Sequence, residues 1–283
     1  MAKSIKWAVG LLMLLWSSAT IAQTYPAKPV RIIVPYQAGQ GTDVVARYFA
    51  DHLSRSTGQR FYVENKPGAG GNIGAEQAAH AEADGYTIFM GTNATQTMNE
   101  FMFASLGFSP EKDFAPIILV GKLPMLVAAS PSFAANSIPE LVAAAKASPD
   151  KVDIALPSTT ARIVFEFLKE KTAAPLFPVP YKGSSTAMTD TLGGQVPLII
   201  DTVTALRGHI ADGKLKAIGI TALKSTELMP GVKAIAEQGV ADFEVTACNA
   251  FYAPRGTPQA VIDLLNGELV KALALPETRK RLL

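Results

Sequence analysis

A chain of 283 residues, 48% hydrophobic and 18% charged, can bury a sizeable core and fill one large domain or two smaller ones, which excludes a disordered polyelectrolyte. Two of its 26 basic residues and none of its 24 acidic ones lie in the first 22 positions, so the remainder balances at 24 against 24. The sequence pI of about 8.5 is therefore partly a property of that leader, and nothing points to a nucleic-acid surface.

Residues 1–22 read as a cleavable signal peptide. Lys3 and Lys6 form the positive end, Ala8 to Trp16 the apolar stretch, and Thr20-Ile21-Ala22 the cleavage site, with the mature chain starting near Gln23. The apolar run is shorter than the ~20 residues a bilayer needs. Export to the periplasm is expected, with no direct membrane insertion of the mature chain. The single cysteine, Cys248, allows no intramolecular disulfide and no thiolate metal cluster, and no cysteine follows the cleavage site to carry a lipid. Its apolar surroundings in sequence predict a small buried hydrophobe.

Strand-like and helix-like segments then alternate, which predicts an α/β architecture with largely parallel strands. Residues 30–34 (VRIIV) read as strand, 43–58 as a helix stopped by Gly58, 60–65 as strand, 72–85 as helix and 86–92 as strand. From Pro116 the apolar stretch IILVGKLPMLVAASPS, broken by Gly121 and Pro124, reads as two strands crossing into a second unit. There, 137–150 reads as a helix capped by Ser137, 151–156 as strand, 161–172 as helix, 176–181 as strand and 184–194 as a helix with a glycine stop. Residues 196–201 (strand), 206–214 (helix) and 215–222 (strand) follow, and 243–254 is long enough to return to the first unit, ahead of helical material to the end. Two crossings imply two lobes hinged around a cleft. Lobe I is expected to comprise residues 23–125 and 247–283, and lobe II residues 126–246.

PYQAGQGTDVVAR, from Pro35, and ENKPGAGGNIGAE, from Glu64, superpose at a constant offset of 29 residues, with Gly39 on Gly68, Gly41 on Gly70 and Asp43 on Asn72. Each is a glycine-rich turn feeding a helix N-terminus, where backbone N–H groups and the helix dipole suit an anion. Two ordinary turns with Asp43 and Asn72 as helix N-caps are the alternative, which leaves the repeated glycine spacing unexplained. Neither copy ends in Lys-Ser/Thr, and Val44 and Ile73 stand where a third glycine of G-x-G-x-x-G would fall, so nucleotide sites drop out. His52, His80 and His209 fall in helical segments without metal-ligand spacing and are assigned to the surface. There is no G-x-S-x-G nucleophile turn. Tyr181 and Lys182, being adjacent, point to different faces. No catalytic group, metal or cofactor is expected, and binding without turnover fits better.

The segments YPAKPVRIIVPYQAGQGTDVVAR, VENKPGAGGNIGAE, ADGYTIFMGT, DFAPI, VPYKGSSTAMTDTLGGQVPLIID, GKLKAIGITA and APRGTP resemble, in order from Tyr25 onward, the periplasmic solute-binding proteins of tripartite tricarboxylate transporters, the Bug family. The resemblance implies a two-lobed periplasmic-binding-protein-like fold closing over a small carboxylate, gripped by the two loops through backbone amides and ordered water. Carried over by motif, Gly39, Gly41, Thr42 and Asp43 form the first loop and Gly68, Ala69, Gly70, Gly71 and Asn72 the second. Thr92 and Asn93 flank them, and Asp201 matches a ligand-facing acid.

Two departures stand out. Where the family has a Gly-x-Gly-Ser turn followed by histidine, this chain reads ALPSTTARIVFE, so Ser158, Thr159 and Arg162 enter the candidate set, and Arg162 either reaches the ligand or pairs with Glu166. The resemblance also implies a further strand and helix beyond Leu283, so lobe I is expected to be C-terminally shortened. The expected function is capture of a small mono- or dicarboxylate by a monomer that delivers it to the transporter's membrane components. The alternatives are an exported enzyme acting on an acidic metabolite and a ligand-presenting sensor.

Overall fold

A computed structural model describes residues 25–148 and 152–278; the expected leader, residues 1–22, lies outside the described residues. The strands are β1 (Val30–Val34), β2 (Phe61–Asn65), β3 (Thr87–Thr92), β4 (Phe114–Ala129), β5 (Asp153–Leu156), β6 (Phe177–Pro180), β7 (Leu198–Thr202), β8 (Lys216–Ile220) and β9 (Thr246–Pro254). The α-helices are α1 (Gly41–Thr57), α2 (Asn72–Ala79), α3 (Asn99–Met102), α4 (Ile138–Ala147), α5 (Thr159–Thr172), α6 (Ser184–Leu192), α7 (Val203–Ala211) and α8 (Gln259–Ala274).

The strands hydrogen-bond in the order β2-β1-β3-β9-β4-β7-β5-β6, with β8 also paired to β4. β1 runs parallel to β2 and β3, and β5 parallel to β6 and β7, while β4 and β9 are antiparallel to their neighbours. The sheet is mixed, with two largely parallel halves joined through the long antiparallel strands β4 and β9. Both faces of each half are covered: Val30, Ile32 and Val34 enter one cluster and Ile33 another, and Val127 and Leu126 divide the same way. Strands buried on two sides read as continuous apolar runs, which is why VRIIV lacks alternation.

The link between the halves differs from expectation. The stretch around Gly121 and Pro124 forms one 16-residue strand rather than two. β4 pairs with β9 up to Pro124↔Thr246, then with β7 and β8 from Met125 onward, with register shifts near Pro116 and between Leu119 and Gly121. Pro124 stands where the strand exchanges one partner for another, so its missing N–H interrupts neither ladder's interior.

The helix expected over 72–85 ends at Ala79, where His80 leaves the helical conformation (φ -93°, ψ 7°), and the Asp84 side chain then accepts the Tyr86 N–H (2.9 Å) in the turn that leads into β3. A π-helical turn at Ala94–Met98 followed by α3 occupies a stretch with no clear apolar periodicity. Cys248 is half-buried on β9, not a core hydrophobe, because it faces away from Ala247 and Asn249. His80 is exposed and bonds the Gly107 carbonyl (3.0 Å), whereas His52 and His209 are half-buried.

Candidate functional site

The two halves meet at a cleft holding a cavity of about 300 Å³ and, beside it, a smaller one of about 30 Å³. Tyr36 and Ser158 line both, so the two are continuous walls of one site. The larger cavity is bounded by the Gly68–Gly71 loop, by Met102 and Phe103, by Ser158, Thr159 and Arg162, and by Tyr181 and Lys182. Its lining holds two cationic side chains and no acid. The smaller cavity is formed by Gln40, Gly41, Thr42, Thr92, Asp201 and Thr202.

The second glycine loop is shaped by four successive positive φ angles: 129° at Gly68, 47° at Ala69, 65° at Gly70 and 100° at Gly71. Glycine adopts three of these at no steric cost, while Ala69 takes the left-handed region against its β-carbon, and the run turns the chain so that Gly71 N–H closes on the Gly68 carbonyl (2.9 Å) directly ahead of α2. In the first loop the approach itself requires a glycine: a β-carbon on Gly41 would lie 2.6 Å from the Thr202 hydroxyl of the other half.

Several helices aim their N-termini here. α1 begins at Gly41, α2 follows Gly71, α5 is capped by Ser158 accepting the Ala161 N–H (3.2 Å), and α7 by Thr202 accepting the Ala205 N–H (3.3 Å). For each of the four, the first residue or the capping residue before it (Gly41, Gly71, Ser158 and Thr202) lines one cavity or the other. Converging helix N-termini with two cations favour an anion.

The sequence-derived residues take different places. Gly41, Thr42, Gly68, Ala69, Gly70, Gly71, Thr92, Ser158, Thr159, Arg162 and Asp201 all line the cleft. Gly39 is exposed and its N–H donates to Asp43 (2.9 Å). Asp43 is 2% exposed and also accepts from Arg47 Nε (2.9 Å) and Asn65 Nδ2 (2.8 Å), so it ties the loop to α1 and β2. Asn72 accepts from Asn99 Nδ2 (2.6 Å), which donates as well to the Gly70 carbonyl (3.1 Å). Neither Asp43 nor Asn72 is an N-cap; Gln40 and Gly71 hold those positions. Asn93 reaches away to β9, donating to the Thr246 carbonyl (2.9 Å) and accepting the Cys248 N–H (3.3 Å).

Asp201 is 2% exposed, accepts a short hydrogen bond from Ser184 and accepts the Thr202 N–H (2.7 Å). Burial pushes its carboxyl up to about 6, against the opposing pull of those bonds. Arg162 donates through Nε to Glu166 (2.6 Å) while still lining the larger cavity.

Sequence reading missed Tyr36, whose hydroxyl bonds the Thr92 hydroxyl (2.9 Å) and whose burial raises its phenol to about 12. Its place between β1 and the first glycine was the available signal. Met102 and Phe103 gave none.

A two-lobed α/β chain whose cleft gathers helix N-termini and glycine turns defines a solute-binding protein. The model of the tripartite tricarboxylate transporter family receptor matches residues 45–283, and the chain belongs to that family. Among relatives, BugT of Bordetella pertussis is 36% identical over 255 residues, 89% of this chain and 78% of BugT. Among solved structures, Rpa4515 of Rhodopseudomonas palustris with adipate has a TM-score of 0.88 at 30% identity, covering 90% of this chain and 86% of that one. MatC from Rhodopseudomonas palustris with bound malate has a TM-score of 0.85 at 29% identity, covering 91% and 88%. The fold is that of the Bug-type periplasmic binding proteins.

Proposed function

We propose that this protein is a periplasmic receptor that closes over a small mono- or dicarboxylate and delivers it to the membrane components of a tripartite tricarboxylate-type transporter. The observation that carries the reading is the convergence of the N-termini of α1, α2, α5 and α7 on a cleft whose larger cavity is lined by Arg162 and Lys182 and by no acid. One carboxylate group would take backbone N–H groups of the Gly68–Gly71 turn and the helix ends, which bind charge without a desolvated counter-ion. Relatives holding adipate and malate support this ligand class.

The hinge is placed at Met125 and Thr246, giving lobe I as 23–125 and 247–283 and lobe II as 126–246; the change of strand partners on β4 supports that division. Residues 1–22 act as the export signal, and among the described residues no helix is long and apolar enough to cross a membrane. The mature chain acts as a monomer without a catalytic step. Purified protein is titrated calorimetrically with a panel of C2 to C8 mono- and dicarboxylates, and the bound compound is recovered and weighed by mass spectrometry. Saturable binding with unchanged ligand is expected; conversion to product would favour an exported enzyme. Loss of uptake of that ligand in a deletion strain checks delivery, and intact uptake would favour a sensor.

A further inference from the structure

The first loop meets the second half of the molecule through two glutamines and two consecutive serines. Gln40 Nε2 donates to Ser184 Oγ (2.7 Å), and Ser184 in turn donates to Asp201. Gln37 Oε1 accepts from Ser185 Oγ (2.6 Å) and from Ser185 N–H (3.4 Å). The same glutamines build their own turn: Gln40 Oε1 accepts the Gln37 N–H (2.9 Å), and Gln40 N–H closes on the Gln37 carbonyl (3.2 Å). Turn and bridge are thus one unit. A serine hydroxyl has a single proton, so Ser184, by giving it to Asp201, keeps its lone pairs for Gln40, which fixes the direction of the chain.

The partner surface is shaped to receive this turn. Gly183 precedes α6 in an extended conformation (φ 172°), which any residue adopts. Its need for glycine comes from contact alone, since a β-carbon there would lie 2.4 Å from the Gln37 carboxamide. Gln37 lines neither cavity of the cleft, so its bonds to Ser185 serve the meeting of the two halves and not ligand contact.

We propose that Gln37 and Gln40, seated on Ser184 and Ser185, are positioning residues that clasp the two lobes, so that part of the closing free energy comes from protein–protein hydrogen bonds independent of the ligand. The inference rests on the two-lobed closing fold and not on the identity of the carboxylate. Its test therefore uses ligand-free protein, stripped by unfolding and refolding, and reads the radius of gyration by small-angle X-ray scattering. Wild type is expected to be more compact than Gln37→Ala, whose loss of the Ser185 contacts lowers the closed-to-open ratio about tenfold. Gly183→Ala should reproduce the expansion by displacing the Gln37 side chain while leaving every hydrogen-bonding group in place. Adding Ser185→Ala to Gln37→Ala should change little. A radius shared by wild type and both single variants, compact or expanded, overturns the clasp, as does a full further expansion on adding Ser185→Ala. Circular dichroism of each variant separates opening from unfolding, and a folded Gly183→Ala keeps the test decisive should Gln37→Ala misfold.

Discussion

A β-carbon on Gly70 would lie 2.6 Å from the hydroxyl of Thr159, and 3.1 Å from the ring of Phe103. The second loop of lobe I and the first turn of α5 therefore touch across the cleft, with room for backbone only. Gly70 also has φ 65°, a conformation that costs an ordinary L-residue roughly 1–2 kcal/mol.

Gly70→Val is thus expected to hold the lobes apart and to weaken carboxylate binding by more than tenfold, while the fold survives because the turn lies outside the core. Calorimetry on a variant with a normal circular dichroism spectrum checks this. Unchanged affinity would remove the loop from the site.

Asp43 makes a different prediction. Its buried carboxylate accepts from Gly39, Arg47 and Asn65, and truncation removes all three bonds, although Asn65 keeps the Tyr36 carbonyl and Arg47 keeps Asn65, at about 1–3 kcal/mol in total. Asp43→Ala should lower the melting temperature by about 3 to 10 °C for a chain of this size. Asp43→Asn keeps an acceptor and should lose less. If both variants melt with wild type, the carboxylate does not tie the loop.

How much of this was legible beforehand follows from the range of each signal. The glycine spacing, the Ser137 cap and the strand–helix alternation are local patterns, and the structure places them as turn, helix N-terminus and successive strands and helices, whereas the cap at Ser158 emerges only in the structure. β4 departs from the two strands expected because Gly121 and Pro124 have the sequence character of breakers, whereas the strand changes partners there and tolerates a residue without an N–H. Asp43 carries the sequence signature of an N-cap, but its three partners include Asn65, 22 residues away. The Gln37–Ser185 contact spans 148 residues and has no local pattern at all.

Asp201 predicts a pH dependence. Burial raises its folded-state carboxyl from the ordinary 3.8 to about 6. A raised carboxyl stabilises the fold most fully below its unfolded value and loses that contribution as pH rises through about 6. Above this range the buried charge costs about 3 kcal/mol. Asp201→Asn removes the charge, so the melting temperature of the variant minus that of wild type should be largest near pH 7.5 and shrink steadily toward pH 4. Changed hydrogen bonding to Ser184 adds an offset that does not vary with pH, so the slope is the readout. A flat difference would mean that Asp201 ionises normally.

Arg162 separates two kinds of ligand. Its Nε is committed to Glu166, four residues along α5, with both side chains near half exposure. Arg162 nevertheless lines the larger cavity together with Lys182. The position is unfavourable for a cation in itself, because it lies in the first turn of the helix, where the dipole is positive, and Glu166 offsets this. A second carboxylate entering the cavity would meet the remaining N–H groups of the guanidinium, a charge-assisted contact worth about 1.5–3 kcal/mol. Arg162→Gln should then weaken a dicarboxylate by about 10- to 150-fold while leaving the monocarboxylate of equal length within about threefold. Glu166→Gln should act in the opposite direction, freeing Nε and tightening the dicarboxylate alone. Calorimetry with adipate against hexanoate, and with succinate against butyrate, supplies the comparison. Equal loss for both members of a pair would show that Arg162 acts on the helix and not on the ligand, and no loss for either would confine it to its pairing with Glu166.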